Sequence, residues 1–270
     1  MRQLLQVALK AAEAGAAVLA QGYGKTMEIS FKGDKDLVTQ YDLASETAIR
    51  KVLEEFYPDH SVLAEESGLS GKGDGYRWYI DPLDGTTNFS KGRPFFAVSL
   101  GCCKLERGAP TQPLVGVVWA PILREVFFAG LSSGAFVRRD ELGGRLQEKL
   151  CVSATSNPME AVVDVGFPCD FAEKIDELMA PIARVAQKVR AVRLSGSAAL
   201  DLAYVAGGRS ECYWENGLKP WDTAAGQLLV TEAGGVVSDL TGAPYRLERS
   251  GGILASNARL HPWFKRNLAA

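Results

Sequence analysis

Apolar positions recur first at helical spacing. Leu4, Leu5, Ala8, Ala11, Ala12, Gly15, Val18 and Leu19 fall on one face of the opening segment, and Gly22 and Gly24 follow as a stop. That spacing predicts an N-terminal amphipathic helix. The stretch MEISFKGDKDLVTQYD then reads as short strands with a turn at Gly33–Asp34. Asp42 stands in the N-cap position ahead of Ala48, Ile49, Val52, Leu53 and Phe56, the apolar face of a second helix that has to end before Pro58. SVLAEES and YRWYID follow as strands. From Phe95 to about Cys151 the pattern turns β-rich: FFAVSLGCCKL, LVGVVWAP, REVFFAG, GAFVRR and KLCVS are separated by glycine, proline and charged turns. They carry no helical period, which predicts an antiparallel meander.

The second half has a different rhythm. AVVDVGF reads as a strand, Phe171 to Val189 as a helix, AALDLAYVAGG as a helix, ECYWE as a strand, and Asp222 to Ala233 as a helix stopped by Gly234–Gly235. VVSDL and GILASN return as strands, and HPWFKRNL closes as a helix. Alternating helices and strands predict an α/β layer. The expected division is an N-terminal α+β part over 1–150 and a C-terminal α/β part over 151–270, with no flexible linker between them.

At 270 residues the chain is long enough for one large domain or two ordinary ones. With 47% apolar residues, 23% charged residues and a net charge of −2, it reads as an ordinary soluble globular protein with little electrostatic pull on nucleic acid. Lys10 and Glu13 interrupt the opening apolar stretch, which argues against a signal peptide or membrane span and for a cytoplasmic protein. Five cysteines, an odd number with no CxxC pair, read as buried free thiols. With only His60 and His261, histidine-ligated metals and a phosphohistidine route are disfavoured. Carboxylates and hydroxyls are left to carry the chemistry.

Three acidic sites sit at predicted strand ends or helix starts: Glu65–Glu66 in LAEES, Asp81 and Asp84 in IDPLDGTT, and Asp222 in KPWDTAAG. Singly, each has an ordinary explanation as a solvated turn, a type I turn or a helix cap. Together they point to one crevice, because strand ends and helix starts face a common cleft in layered α/β folds. Oxygen-only anionic donors suit hard cations such as Mg²⁺ rather than Zn²⁺, and Pro82 holds Asp81 and Asp84 at a fixed spacing. Gly85, Thr86 and Thr87 open a helix whose first N–H groups suit a phosphate. Cations between acids and phosphate, with N–H donors alongside, predict phosphoryl transfer to water.

The segments GDKDLVTQYD, LAEES, DPLDGTTNF, SGSAALDLAYVAGG and WDTAAGQLLVTEAGG occur in this order over nearly the whole chain, and DPLDGTTNF with WDTAAG at this separation is a highly specific pair. In these segments the chain resembles the inositol monophosphatase family of magnesium-dependent, lithium-sensitive phosphatases. The resemblance implies a layered αβαβα sandwich, the sugar-phosphatase fold, usually as a homodimer. It implies two or three Mg²⁺ ions held by Glu65, Asp81, Asp84, Asp222 and the carbonyl of Leu83. Glu65, Asp81 and Leu83 share one ion, and Asp81, Asp84 and Asp222 hold the second. Thr86 and Asp42 correspond to the pair that polarises the attacking water, with Glu65 also contacting it. Gly85 and Thr86 match the phosphate-binding backbone, and Gly196, Ser197, Ala198 and Glu215, with Asp84 and Asp222, match the substrate side. Glu66 is expected to support the site rather than ligate.

Phe167 and Pro168 follow Gly166 where animal members of the family carry a serine, so strict inositol specificity is not part of what the resemblance implies. The expected reaction is hydrolysis of myo-inositol monophosphate, or a related polyol or sugar phosphate, by metal-activated water. Lithium inhibition is expected from the same likeness. Fructose-1,6-bisphosphatase, histidinol-phosphate and 3′-phosphoadenosine nucleotide phosphatases share a similar metal core and remain alternatives, as does a mainly non-catalytic role in a transcription- or ribosome-linked complex. Neither membrane contact nor direct nucleic-acid binding is expected. Arg193 and the aromatics Tyr204, Trp214 and Trp221 read as structural.

Overall fold

The opening helix α1 (Arg2–Gly22) turns Leu4, Ala8, Ala11, Ala12, Gly15 and Leu19 inward as its spacing predicts, joined by Val7 and Ala16, while Leu5 and Val18 are only half-buried. A computed structural model of the protein describes residues 1–31, 37–73, 75–141, 144–168, 172, 175–249 and 251–268. Next come β1 (Ile29–Phe31) and β2 (Leu37–Thr39), an antiparallel pair; the expected turn at Gly33–Asp34 lies outside the described residues. Helix α2 (Gln40–Phe56) does end before Pro58, but Asp42 is not its N-cap. Thr39 caps it in extended conformation, and Asp42, three residues on, accepts from the Thr39 N–H at 2.8 Å and its hydroxyl at 2.6 Å. This is a capping box, in which the earlier threonine ends the strand and the acid closes the first turn.

The large sheet follows from β3 (Ser61–Ala64), β4 (Gly68–Ser70), β5 (Tyr76–Asp84), β6 (Ala97–Glu106), β7 (Ala109–Ala120), β8 (Glu125–Gly130), β9 (Gly134–Glu141) and β10 (Gly144–Lys149). Its order is β10-β9-β8-β7-β6-β5-β3-β4, and β6 to β10 form the expected antiparallel meander. The short helix α3 (Thr86–Ser90) interrupts between β5 and β6. A second sheet collects β11 (Val162–Val165), β12 (Ala191–Arg193), β13 (Cys212–Glu215), β14 (Gly235–Ser238) and β15 (Ile253–Asn257) in the order β12-β11-β13-β15-β14. Its strands β11, β12 and β13 run parallel.

Between and around the sheets lie α4 (Ile175–Ala186), α5 (Ala198–Ala206), α6 (Pro220–Glu232) and α7 (His261–Leu268). Helices α1 and α2 cover one face of the large sheet, α5 and α6 fill the space between the sheets, and α4 and α7 pack together with α7 on the small sheet. The chain is thus the layered αβαβα sandwich expected from the sequence. Three apolar cores run through the layers: Leu19, Ile49 and Trp78 under the outer helices, Leu202, Tyr213 and Leu229 on both faces of the central helices, and Val185, Trp214 and Phe264 beneath α4 and α7. Helix α6 sits close on the sheet because Gly101 and Gly116 carry no side chain; a Cβ there would stand 2.6 Å from Ala224 Cβ and 2.9 Å from Ala225 Cα. The small residues of WDTAAG are therefore a packing surface as well as part of the motif.

Several element boundaries differ from expectation. Helix α4 ends at Ala186, and Val189 is buried from the turn that follows rather than from a helical face; Phe171 lies outside the described residues. Helix α6 starts two residues before Asp222, with Pro220 as its first residue, where a missing N–H costs nothing. Cys102, Cys103 and Cys212 are buried free thiols, but Cys151 is exposed, being at the strand-to-loop exit after β10; Cys169 lies outside the described residues. Among the described residues no helix is long and apolar enough to cross a membrane.

Candidate active site

The C-terminal ends of parallel strands from both sheets open on one cleft of about 1460 Å³. In layered α/β folds this is where ligands bind. Glu65 follows β3, Asp81 to Asp84 end β5, Gly166 follows β11, Leu194 follows β12 and Glu215 ends β13. The N-terminal ends of α3, α5 and α6 face the same space with Thr86, Ala198 and Asp222. The lining includes Glu65, Asp81, Leu83, Asp84, Gly85, Thr86, Gly196, Ser197, Ala198, Glu215 and Asp222, which is every expected site residue except Asp42. Asp42 stands behind the wall and reaches it through Thr86.

DPLD is not a type I turn. Strand β5 continues through it with a register shift, Asp81 opposite Ser99 and Asp84 opposite Ala97, so three steps of β5 oppose two of β6. Such a bulge re-aims side chains at the end of a strand. It is held from three sides: Leu83 N–H donates to Asp81 Oδ1 at 3.0 Å, buried Ser45 on α2 donates to the Pro82 carbonyl at 2.9 Å, and Thr86 Oγ donates to the Leu83 carbonyl at 3.0 Å. Gly85, at φ +95°, then turns the chain into α3. The Thr86 hydroxyl also lies 3.1 Å from Asp42 Oδ1, and burial raises the pKa of Asp42 despite its bonds to Thr39 and Thr86.

Asp81 is 3% exposed, and its carboxyl is pushed well above the usual range by burial and then by the charges of Glu65, Asp84 and Asp222. Those three acids are thus its electrostatic neighbours, as the sequence pattern predicted. Burial also lifts Asp84 to about 6, against donors from Ser197 Oγ at 2.6 Å, Ala199 N–H at 2.6 Å and Ala198 N–H at 3.2 Å. Asp222 is raised by burial and by the charges of Asp84, Glu65 and Glu215, while the Lys219 N–H at 2.7 Å opposes the shift. Among the described residues, no three acidic, imidazole or thiol groups yet close around a point where an ion would sit. Asp84 leans on α5 and Asp222 on Lys219, as like charges do when hydrogen-bond donors are on offer. Glu66 follows Glu65 at this edge, and its N–H donates to the buried Glu46 carboxylate at 2.9 Å.

Across the cleft, Glu215 is 8% exposed and accepts a hydrogen bond from the Tyr213 hydroxyl. Burial and the charge of Asp84 lift it to about 7, with the Tyr213 bond opposing. Its carboxylate occupies the space a side chain at 166 would need: a Cβ on Gly166 would lie 1.7 Å from Glu215 Oε2. Gly166→Ala is therefore expected to swing Glu215 off Tyr213, as a crystal structure of the variant would record; an undisturbed Tyr213–Glu215 bond would contradict this packing account. Asn88, a residue of DPLDGTTNF with no role expected from sequence, ties the two sides together. Its Nδ2 donates to the carbonyls of Phe95 and Ser195, each at 2.8 Å.

The sequence profile of the inositol monophosphatase family matches residues 1–269. The chain belongs to the inositol monophosphatase family. It is 41% identical over 263 residues to the protein named Nus factor SuhB of Pasteurella multocida (96% of this chain, 93% of that one). It is 38% identical over 263 residues to the fructose-1,6-bisphosphatase/inositol-1-monophosphatase of Aquifex aeolicus (97% and 93%). Among solved structures, an inositol monophosphatase from Anabaena superposes with a TM-score of 0.84 at 39% identity, covering 99% of this chain and 96% of that one.

Membership makes the protein a phosphatase acting on a phosphorylated substrate, in a family that is generally metal-dependent. Both histidines of this inositol monophosphatase family member pack in polar or aromatic contacts away from the cleft lining. His60 stacks between Tyr57 and Tyr76 and accepts from Trp78 Nε1 at 3.1 Å; His261 lies between Ser256 and Ser238 Oγ at 2.7 and 3.1 Å. Arg193 is exposed at the end of β12. Tyr204 packs edge-on to Phe95, outside the cleft lining, whereas Trp214 and Trp221 border the cleft from its core side.

Proposed function

We propose that this protein is a Mg²⁺-dependent phosphomonoesterase that hydrolyses myo-inositol monophosphate and related polyol or sugar phosphates to the alcohol and inorganic phosphate. The observation that carries the reading is one cleft lined by four acids, a helix start and, opposite, the Glu215 carboxylate. In this reading Glu65, Asp81, the Leu83 carbonyl, Asp84 and Asp222 hold two or three Mg²⁺ ions. The donor set fits a hard cation: all oxygen, strongly anionic, and with charge on Asp81 that burial and its neighbours oppose until a cation offsets it. Capacity remains as well. A carboxylate offers about four lone-pair sites; Asp84 has three donors, Asp81 has the Leu83 N–H and Asp222 the Lys219 N–H.

When bound, the cations supply Lewis-acid charge for the phosphate and the leaving oxygen and make water acidic enough to attack. The chain's own groups do the rest. The Thr86 hydroxyl lies within reach of both the Leu83 carbonyl and Asp42; with a cation on the Leu83 carbonyl its one proton goes to Asp42, and its lone pairs accept the proton of the attacking water, with Asp42 behind it as the buried acceptor. Glu65 helps to orient that water. The N–H groups of Gly85 and Thr86 face the phosphate oxygens. Backbone groups of Gly196, Ser197 and Ala198 and the Glu215 carboxylate offer acceptors and donors to the hydroxyls of the alcohol.

A broader range that includes fructose 1,6-bisphosphate is the second reading, favoured by the double activity in the name of the Aquifex aeolicus relative. Phosphate release with Mg²⁺ from inositol 1-phosphate, fructose 1,6-bisphosphate, histidinol phosphate and a 3′-phosphoadenosine nucleotide ranks the candidates. Inositol 1-phosphate is expected to have the highest kcat/KM. Release from none of the four would favour a non-catalytic role, of the kind the name of the Pasteurella multocida relative suggests.

A further inference from the structure

The loop Ser195–Ser197, between β12 and α5, is pinned at three points. Asn88 Nδ2 donates to the Ser195 carbonyl at 2.8 Å, Ser197 Oγ donates to Asp84 Oδ2 at 2.6 Å, and Ser195 Oγ donates to Asp201 Oδ1. The first two anchors belong to DPLDGTTN and so to the phosphate side of the cleft. The third comes from α5 itself. Asp201 is 1% exposed, sits in the first turn of α5 and borders the cleft, yet nothing in the reaction described above uses it. A buried carboxyl costs free energy unless it is satisfied, and Ser195 is the partner it has. The loop needs such an anchor: Gly196 is at φ +81° and exposed, with no side chain of its own to hold it.

We propose that Asp201 is a positioning residue for the alcohol of the substrate: through Ser195 it holds the Gly196–Ala198 backbone against the cleft in the conformation that meets the substrate's hydroxyls. The inference rests on the polyol-phosphate reading and names the group that sets its alcohol side. Burial pushes the Asp201 carboxyl well up, as do the charges of Asp164, Asp84 and Glu215, with the Ser195 bond opposing. The neutral acid is thereby favoured, and asparagine reproduces its shape, its acceptor oxygen and a donor.

Three variants test it, each assayed with Mg²⁺ and inositol 1-phosphate. Asp201→Ala should raise KM roughly tenfold, the loss of one buried hydrogen bond, with kcat within about twofold and inhibition by inorganic phosphate unchanged. Asp201→Asn should restore KM. Ser195→Ala should reproduce the Asp201→Ala effect, and the double variant should be no worse, since both remove the same bond; it also stands in if Asp201→Ala does not fold. In parallel, amide hydrogen exchange at residues 195–198 of the unliganded protein should quicken in Asp201→Ala and Ser195→Ala but not in Asp201→Asn. That readout needs no substrate. A wild type inert towards inositol 1-phosphate but showing this exchange pattern would overturn the substrate reading and support the anchor. Unchanged exchange in both Asp201→Ala and Ser195→Ala, an Asp201→Asn as impaired as Asp201→Ala, or phosphate inhibition weakened in step with KM would overturn the anchor.

Discussion

Asp81→Asn is expected to abolish phosphate release while raising the melting temperature of the metal-free protein. Asparagine keeps the size of the side chain and the acceptor for the Leu83 N–H, so the β5 bulge survives. What it removes is the charge that burial and the Glu65, Asp84 and Asp222 carboxylates oppose. If that charge is the shared ligand of two cations, its loss costs several kcal/mol of transition-state stabilisation, a fall on the order of 10³-fold in kcat. In chelator the same change relieves like-charge repulsion among buried acids, which stabilises the fold. A purely structural aspartate would move both quantities the other way: activity kept, stability lost. Steady-state phosphate release beside thermal melts in EDTA separates the two.

The second large effect couples metal, pH and stability. Asp84 and Glu215 have folded pKa values of about 6 and about 7, above their ordinary values, chiefly because burial disfavours the charged form. Between roughly pH 4 and those values the folded chain therefore binds more protons than the unfolded chain, so stability falls as pH rises through this window. Asp81 and Asp222, raised in the same direction by burial and by the neighbouring acids, add to the fall. Metal-free protein should melt several degrees lower at pH 8 than at pH 5, on a scale where 1 kcal/mol corresponds to about 2–4 °C for a chain of this length. Saturating Mg²⁺ binds only the ionised folded site, contributes about 2.7 kcal/mol at 100 times its Kd, and should restore most of the loss at pH 8. Melting curves at both pH values, in EDTA and in Mg²⁺, check this; an EDTA curve that rises with pH, or no response to Mg²⁺ at pH 8, would contradict it.

The parts of this molecule that were legible in its sequence are those whose chemistry is local. DPLDGTTNF packs two acids, a proline, a left-handed glycine and a hydroxyl into nine residues, and WDTAAG combines a helix-start acid with a small-residue face. The meander was legible because its apolar runs lack any helical period and are separated by glycine, proline and charged turns, whereas β4, at three residues, is too short to carry a pattern. Asp42 was misplaced by three residues because Thr39 and Asp42 are both good caps and only the backbone decides between them. DPLD looked like a turn because a bulged strand and a turn use the same residues. The groups that tie the site together were not legible. The Asn88–Ser195 and Asp84–Ser197 bonds join residues more than a hundred positions apart, and Gly166 makes room for a glutamate forty-nine residues on. Nothing in a local window marks such pairs.

In the proposed function DPLDGTTNF and its distant acids hold divalent cations for phosphoryl transfer. Crystals soaked in Mn²⁺, whose anomalous scattering marks its position, test it most directly. At least two peaks are expected, one within bonding distance of Glu65, Asp81 and the Leu83 carbonyl and a second touching Asp81, Asp84 and Asp222. Mn²⁺ bound elsewhere, or none in this cleft at a concentration that supports turnover, would contradict it.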